Sequence, residues 1–240
     1  SDVSNIMKDV DVVIQAAATT SGSKDIVSTP YIHVTDNAVM NSLLLRTAFE
    51  NNVEHFLFFS CTVMYQSSEK NQKESDFNPA EPIHSRYFGV GNTKIYIEKM
   101  LEFFSSISNM KTTAIRHSNI YGPFDKFDFD RSHVFGASVS KVMLAEDKIN
   151  VWGTGEEERD LLHVSDLCDF IEKAIYYQKA KHRVYNCGLG KKISIRNLVE
   201  LIIGHSDKKI EIVHDTSKPT IKTSLVLDCK IAGKELGWRP

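Results

Sequence analysis

The residue best placed to do chemistry in this chain is Lys94, in Val90-Gly91-Asn92-Thr93-Lys94-Ile95-Tyr96-Ile97-Glu98-Lys99-Met100-Leu101-Glu102. Apolar residues at 97, 100, 101 and 104 fall on one face at helical spacing, which places Lys94 near the start of a helix. A buried ammonium can lower the pKa of a nearby phenol and make it a usable proton donor or acceptor for a carbonyl/alcohol pair. A second group of polar residues, Ser60-Cys61-Thr62, emerges where the apolar run Val53-Glu54-His55-Phe56-Leu57-Phe58-Phe59 ends. In an open α/β sheet the carboxyl edge of a strand is where ligands sit. The hydroxyls of Ser60 and Thr62 are better hydrogen-bond donors there than the Cys61 thiol. His133 stands at the start of another helical segment, where the residue alone reads equally as a cap or surface group. Gly153-x-Gly155 by itself does not make a dinucleotide loop.

These residues need strands and helices to position them. Asp11 to Ala18 is an apolar run ending in small residues and suits a fully buried parallel strand. Pro30 interrupts the polar stretch 21–35, and a helix is predicted from about Asp36 to Asn51, with Asn37 at its start. As a bare residue, Asn37 is a capping or surface polar group. Residues 66–86 form a polar excursion long enough to cover a site. Lys111 to Asn119 is a further strand, and Tyr121-Gly122-Pro123 turns the chain. A helix from about Val134 to Glu146, a strand at 149–152, a helix from Ser165 to Tyr177, a helix over 194–203 and a strand near 209–213 follow. The alternation predicts an α/β fold with a mainly parallel sheet.

Composition narrows the class of function. Twenty-nine basic residues against 31 acidic give neither a basic field for nucleic acid nor an acidic tail. No apolar run approaches the roughly 18 residues needed to span a membrane. Cys61, Cys168, Cys187 and Cys229 are widely spaced with no C-x-x-C pair, which predicts reduced thiols in a cytoplasmic protein and no metal site.

Several motifs in order resemble the extended short-chain dehydrogenase/reductases that act on nucleotide sugars. Lys94, Glu98 and Glu102 match that family's catalytic-helix pattern. Arg116-x-x-Asn119-x-Tyr121-Gly122-Pro123 matches its next signature, and Trp152-Gly153-Thr154-Gly155…Arg159-Asp160-Leu161-Leu162-His163-Val164-Ser165-Asp166 its third. The resemblance runs from about residue 10 to Leu236-Gly237-Trp238-Arg239-Pro240. Ser132-His133-Val134 leans toward its GDP-L-fucose-synthase-like branch.

The resemblance implies a doubly wound, Rossmann-like parallel sheet lacking its first strands, with a small C-terminal α/β lobe. Residues 1–123 with part of 160–187 would form the cofactor domain, and 124–159 with 188–240 the substrate lobe. It implies NAD or NADP as cofactor, held by Ala16, Ala17, Asn37, Ser60, Lys94 and His117. Lys94, Thr62, Cys61, His133 and Tyr87 would be catalytic. Asn119, Val134, Lys141, Trp152 and Arg159 would bind the substrate, with the planar Arg159 fork gripping its diphosphate. The reaction would be epimerisation, reduction or dehydration at sugar C4 of a nucleoside-diphosphate sugar, best a GDP-sugar, in a homodimer joined through the 36–51 and 87–106 helices.

The chain departs from the pattern at the chemical centre. Val90 stands where the family has tyrosine, Cys61 where it has serine or threonine, and Val63 where fucose synthase has a partner cysteine. Tyr87 precedes Lys94 by seven positions, roughly 10 Å along a helix, so it substitutes only if the chain before Val90 folds back. No G-x-x-G-x-x-G follows a strand, and the family's first strands, on the order of 60 residues, would precede residue 1. Weak cofactor binding and little turnover by these 240 residues are therefore expected. The alternative is a catalytically impaired relative that binds nucleotide sugar or assembles with a partner.

Overall fold

The computed structural model describes residues 2–19, 29–127, 132–217 and 224–240. Four parallel strands form the main sheet in the order β1 (Val12–Gln15), β2 (His55–Phe59), β3 (Lys111–His117), β7 (His182–Cys187). Their registers pair Val12 with His55, His55 with Lys111 and Thr112 with His182. After a short helix α1 (Asp2–Ile6), two long helices flank the sheet, α2 (Pro30–Glu50) and α3 (Phe88–Ile107). They bury Leu45, Ala48, Ile97 and Leu101 against Phe56, Phe58 and Ala114. On the other face, α5 (Val164–Tyr177) packs Phe170 and Ala174 against Leu57, Ile115 and Tyr185.

Two smaller sheets complete the fold. Strand β4 (Asn119–Tyr121) runs parallel to β6 (Glu158–His163), which pairs antiparallel with β8 (Lys192–Ser194). Strand β5 (Lys148–Trp152) runs parallel to β9 (Glu211–Asp215), covered by α4 (Val134–Leu144) and α6 (Ile195–Gly204) around Val142, Ile149, Val151 and Val199. The α/β architecture, with its mainly parallel sheets and flanking helices, is the one anticipated.

Three details differ from the sequence expectations. Pro30 does not interrupt a helix but starts one: it sits in the first turn of α2, where a missing N–H costs nothing and a fixed φ is pre-set for helix. Strand β1 is not fully buried, since it lies at the sheet edge and Ile14 is 48% exposed. Helix α7 (Lys230–Leu236) and Trp238 pack on the main sheet rather than on the small lobe to which 188–240 was assigned. The Trp238 ring is buried 5.2 Å from that of Phe170, and its indole N–H donates to the Asp166 carbonyl at 3.0 Å. An indole can be buried only where its N–H finds an acceptor.

Candidate functional site at the carboxyl edge of the sheet

Lys94 lies in the second turn of α3, on the side facing the end of β2. Its ammonium donates to the Phe59 carbonyl at 2.6 Å and lies 4.5 Å from the centre of the Phe58 ring. Burial pulls the Lys94 pKa down, against the opposing fields of Cys61 and Glu98. An ammonium has three donors, so two remain beyond the Phe59 carbonyl. At Cys61, burial pushes the thiol pKa up, opposed first by Lys94. Thr62 is half-buried beside it, and its hydroxyl has no hydrogen-bond partner among the described residues. Ser60 turns the other way. It is buried and donates to Glu98 Oε1 at 2.6 Å.

That bond ties the site to a buried polar core. Arg116, 4% exposed, grips Glu98 with two parallel bonds, Nε to Oε1 at 3.0 Å and Nη2 to Oε2 at 2.7 Å. It also donates to the Tyr65 hydroxyl at 2.9 Å, which in turn donates to Asn186 Oδ1 at 2.8 Å. Burial alone would lower the Arg116 pKa, but the Glu98 carboxylate holds it above its ordinary value. Burial pushes the Tyr65 phenol up to about 12.

His117 ends β3 next to Lys94. Ser60 N donates to the Ile115 carbonyl at 2.9 Å, continuing the β2–β3 ladder, so Cys61 comes level with His117. The imidazole stands edge-on to Phe59, ring centres 5.9 Å apart. Its Nδ1 lies 2.8 Å from the Ser118 carbonyl, which can only accept, so Nδ1 carries the hydrogen. Burial first, then Lys94 and His133, lower its pKa to about 4, against that bond. His133 precedes α4 as an exposed residue whose side chain makes no capping bond. Lys94, Cys61, Thr62, His117 and His133 thus gather at one edge.

The end of β1 contributes a different surface. Ala16 and Ala17 are exposed, while Gln15 Nε2 donates to the Ala17 carbonyl at 3.0 Å and to Asn41 Oδ1 at 3.1 Å. Asn37 is buried and braces Thr19 through paired bonds, accepting from its N–H and donating to its carbonyl, both at 3.0 Å. A backbone fixed from below and covered only by methyl groups lets a flat ligand approach closely. The free donors of Lys94 beside it suit ribose hydroxyls, so these residues fit the nicotinamide–ribose part of a dinucleotide.

The remaining predicted residues lie on the small-sheet side. Asn119 donates to the Asp160 carbonyl at 3.3 Å. Asp160 is buried and accepts from the backbone N–H groups of Leu189, Gly190 and Leu227. Arg159 donates to the Glu158 carbonyl at 2.8 Å; burial lowers its pKa, opposed by Tyr87 and Glu157. Tyr87 caps α3 on this Arg159 side. Regular helix separates it from Lys94, so the chain does not fold back and the two are not brought together. Lys141 and Trp152 do meet: the ammonium lies 5.9 Å from the indole centre and donates to the Asn150 carbonyl at 3.1 Å. They line an open depression of about 340 Å³ with Leu144, Lys148 and Asn150. Val134 opens α4, half-buried. Lys148 and Asn150 were missed in the sequence, although alternation puts 148, 150 and 152 on one exposed strand face.

A methyl-lined backbone, a buried ammonium and an imidazole thus lie at the carboxyl edge of a parallel sheet, the edge where open α/β folds take ligands. The family model described as "NAD dependent epimerase/dehydratase family" matches residues 1–188, and the chain belongs to that family. It is 27% identical over 231 residues to GDP-L-colitose synthase of Yersinia pseudotuberculosis, covering 94% of this chain and 75% of that one. It is 29% identical over 236 residues to GDP-L-fucose synthase of Sinorhizobium fredii, covering 95% and 73%. A solved GDP-6-OMe-4-keto-L-xylo-heptose reductase from C. jejuni superimposes with a TM-score of 0.89 at 20% identity, over 99% of this chain and 80% of that one.

Proposed function

We propose that the chain acts on a GDP-sugar as a nicotinamide-dependent reductase or epimerase at sugar C4. The observation that carries this is the convergence of Lys94, Thr62 and His117 at the carboxyl ends of the adjacent strands β2 and β3. When bound, the nicotinamide supplies or takes up the hydride. Lys94 holds the ribose with its remaining donors, Gln15 keeps the Ala17 backbone in place beneath it, and Asn37 holds Thr19. The Thr62 hydroxyl donates to the sugar C4 oxygen, a task to which the thiol of Cys61 is less suited. Arg159 pairs with the diphosphate, and the guanine lies on Trp152 between Lys141 and Lys148. Asn119 and Val134 line the sugar side, with His133 at its solvent-facing rim. The names of the relatives support GDP as the nucleotide.

Exposed Val39 and Leu43 on α2, with Tyr96, Phe103 and Ile107 on α3, support a homodimer through these two helices. Among the described residues no helix is long and apolar enough to cross a membrane, and action in the cytoplasm is part of the proposal. One observation favours a second reading, binding without turnover: Val90, one helical turn before Lys94, can neither give nor take a proton.

Calorimetric titration with NADH, NADPH and GDP tests the proposal in wild type, K94A and R159A. K94A should weaken the dinucleotide alone and R159A the GDP alone. Binding of neither ligand by wild type would sink the proposal.

A further inference from the structure

Hydride transfer at a carbinol carbon needs a partner for the hydroxyl proton, and most groups near this edge cannot serve. The Tyr65 phenol is buried and committed to Arg116 and Asn186. Thr62 does not titrate at physiological pH, the Cys61 thiol is a weak donor, and Tyr87 stands on the Arg159 side. Resting on the GDP-sugar reading above, we propose that His117 Nε2 is the proton acceptor and donor for the reacting sugar hydroxyl.

The geometry fixes which nitrogen is available. Nδ1 donates to the Ser118 carbonyl at 2.8 Å, so the neutral ring presents a bare Nε2 lone pair. Nε2 has no hydrogen-bond partner among the described residues, and in this half-buried side chain it is not fully sealed. The ring is held edge-on by Phe59 of β2, and the titratable groups facing it are Lys94 from α3 and His133 from the start of α4. The Lys94 ammonium disfavours imidazolium, so a proton taken up by Nε2 is readily passed on. A pKa near 4 keeps the accepting form resident at neutral pH.

In the oxidative direction the sugar O–H bond breaks and its proton adds to the Nε2 lone pair. The C–H bond breaks with its electron pair, the hydride goes to an oxidised nicotinamide, and C=O forms. Reduction runs the same steps in reverse.

The test is ¹⁵N NMR of labelled histidine in the full chain, with H117N identifying the signal. At pH 7 His117 should show a protonated Nδ1 and a bare Nε2, and the Nε2 resonance should move when GDP-L-fucose is added at millimolar concentration. An Nε2–H tautomer overturns the proposal, and so does an Nε2 signal unmoved while GDP-L-fucose is bound. Failure to bind GDP-L-fucose or GDP at all removes the underlying reading and the proposal with it. With NADP⁺ present, H117N and H117Q should slow oxidation of GDP-L-fucose about 100-fold or more with GDP affinity unchanged. Equal rates in H117N and wild type also overturn it.

Discussion

Replacing Glu98 with alanine would leave the Arg116 guanidinium, 4% exposed, without its counter-ion in the centre of the main sheet. Two bonds from Arg116 and one from Ser60 are lost together, and among the described residues only Tyr65 and the Glu74 carbonyl still accept from Arg116. Breaking one side of such a buried pair costs about 3–5 kcal/mol, a large share of the ~5–15 kcal/mol that a folded domain commands. In a chain of this size that corresponds to a fall in Tm of roughly 6–20 °C. The double variant E98M/R116M removes both charges and fills the space with apolar groups. It should lose less than E98A alone, because its main uncompensated loss is the acceptor for Ser60. Urea denaturation followed by far-UV circular dichroism gives the free energies of wild type, E98A, E98M, R116M and E98M/R116M. A cost below about 1 kcal/mol for E98A, or a double variant as unstable as the sum of the singles, would refute the reasoning.

Three further outcomes follow from the same geometry. Trp152 is 49% exposed, so W152A should leave the melting temperature unchanged while weakening GDP about 10–100-fold by calorimetry, the worth of a lost base–indole stack. His55 is buried, its Nε2 donating to Thr113 Oγ1 at 2.7 Å and its Nδ1 unpartnered; burial, then Lys111, lower its pKa to about 4. The unfolded chain takes up this proton below about 6.5 while the folded chain refuses it until about 4. Stability is therefore full above 6.5 and falls by on the order of 3 kcal/mol as pH drops to 4, a decline that H55N should reduce in urea titrations at pH 7, 5.5 and 4.5. Gly122 has φ +144, and an added Cβ would lie 2.7 Å from Val164 Cγ1. G122A should cost about 1–3 kcal/mol in urea melts, and an unchanged midpoint would show that the turn gives way.

Much of this arrangement was legible in the sequence because burial writes itself as period and composition. The run His55–Phe59 reads as a buried strand because four of its five residues are sealed. Lys94, Ile97 and Leu101 read as one helix face because Ile97 and Leu101 pack on the sheet. What the sequence could not show is which distant partners meet. Pro30 reads as a break until its place in the first turn is known. Ser60 and Thr62 are interchangeable as letters, but β2 ends at Phe59 and the chain then leaves the strand path, so one hydroxyl meets Glu98 while the other is half-buried beside Cys61. His117 carried no local signal of its own, since its importance comes from Lys94 and His133, 23 and 16 positions away.

The burial of Trp238 bears on how the molecule is made. Leu57 on β2 and Trp238 share one cluster, although about 180 positions separate them. At a synthesis rate of ~5–20 residues per second, β2 leaves the ribosome roughly 10–40 s before the indole that covers its face. During that interval one side of the nascent sheet, with Phe170 and Tyr185 arriving in turn, is an open apolar surface in need of a chaperone. Completion of that face would then be a docking event that waits for Trp238, separate from the earlier pairing of β1, β2 and β3.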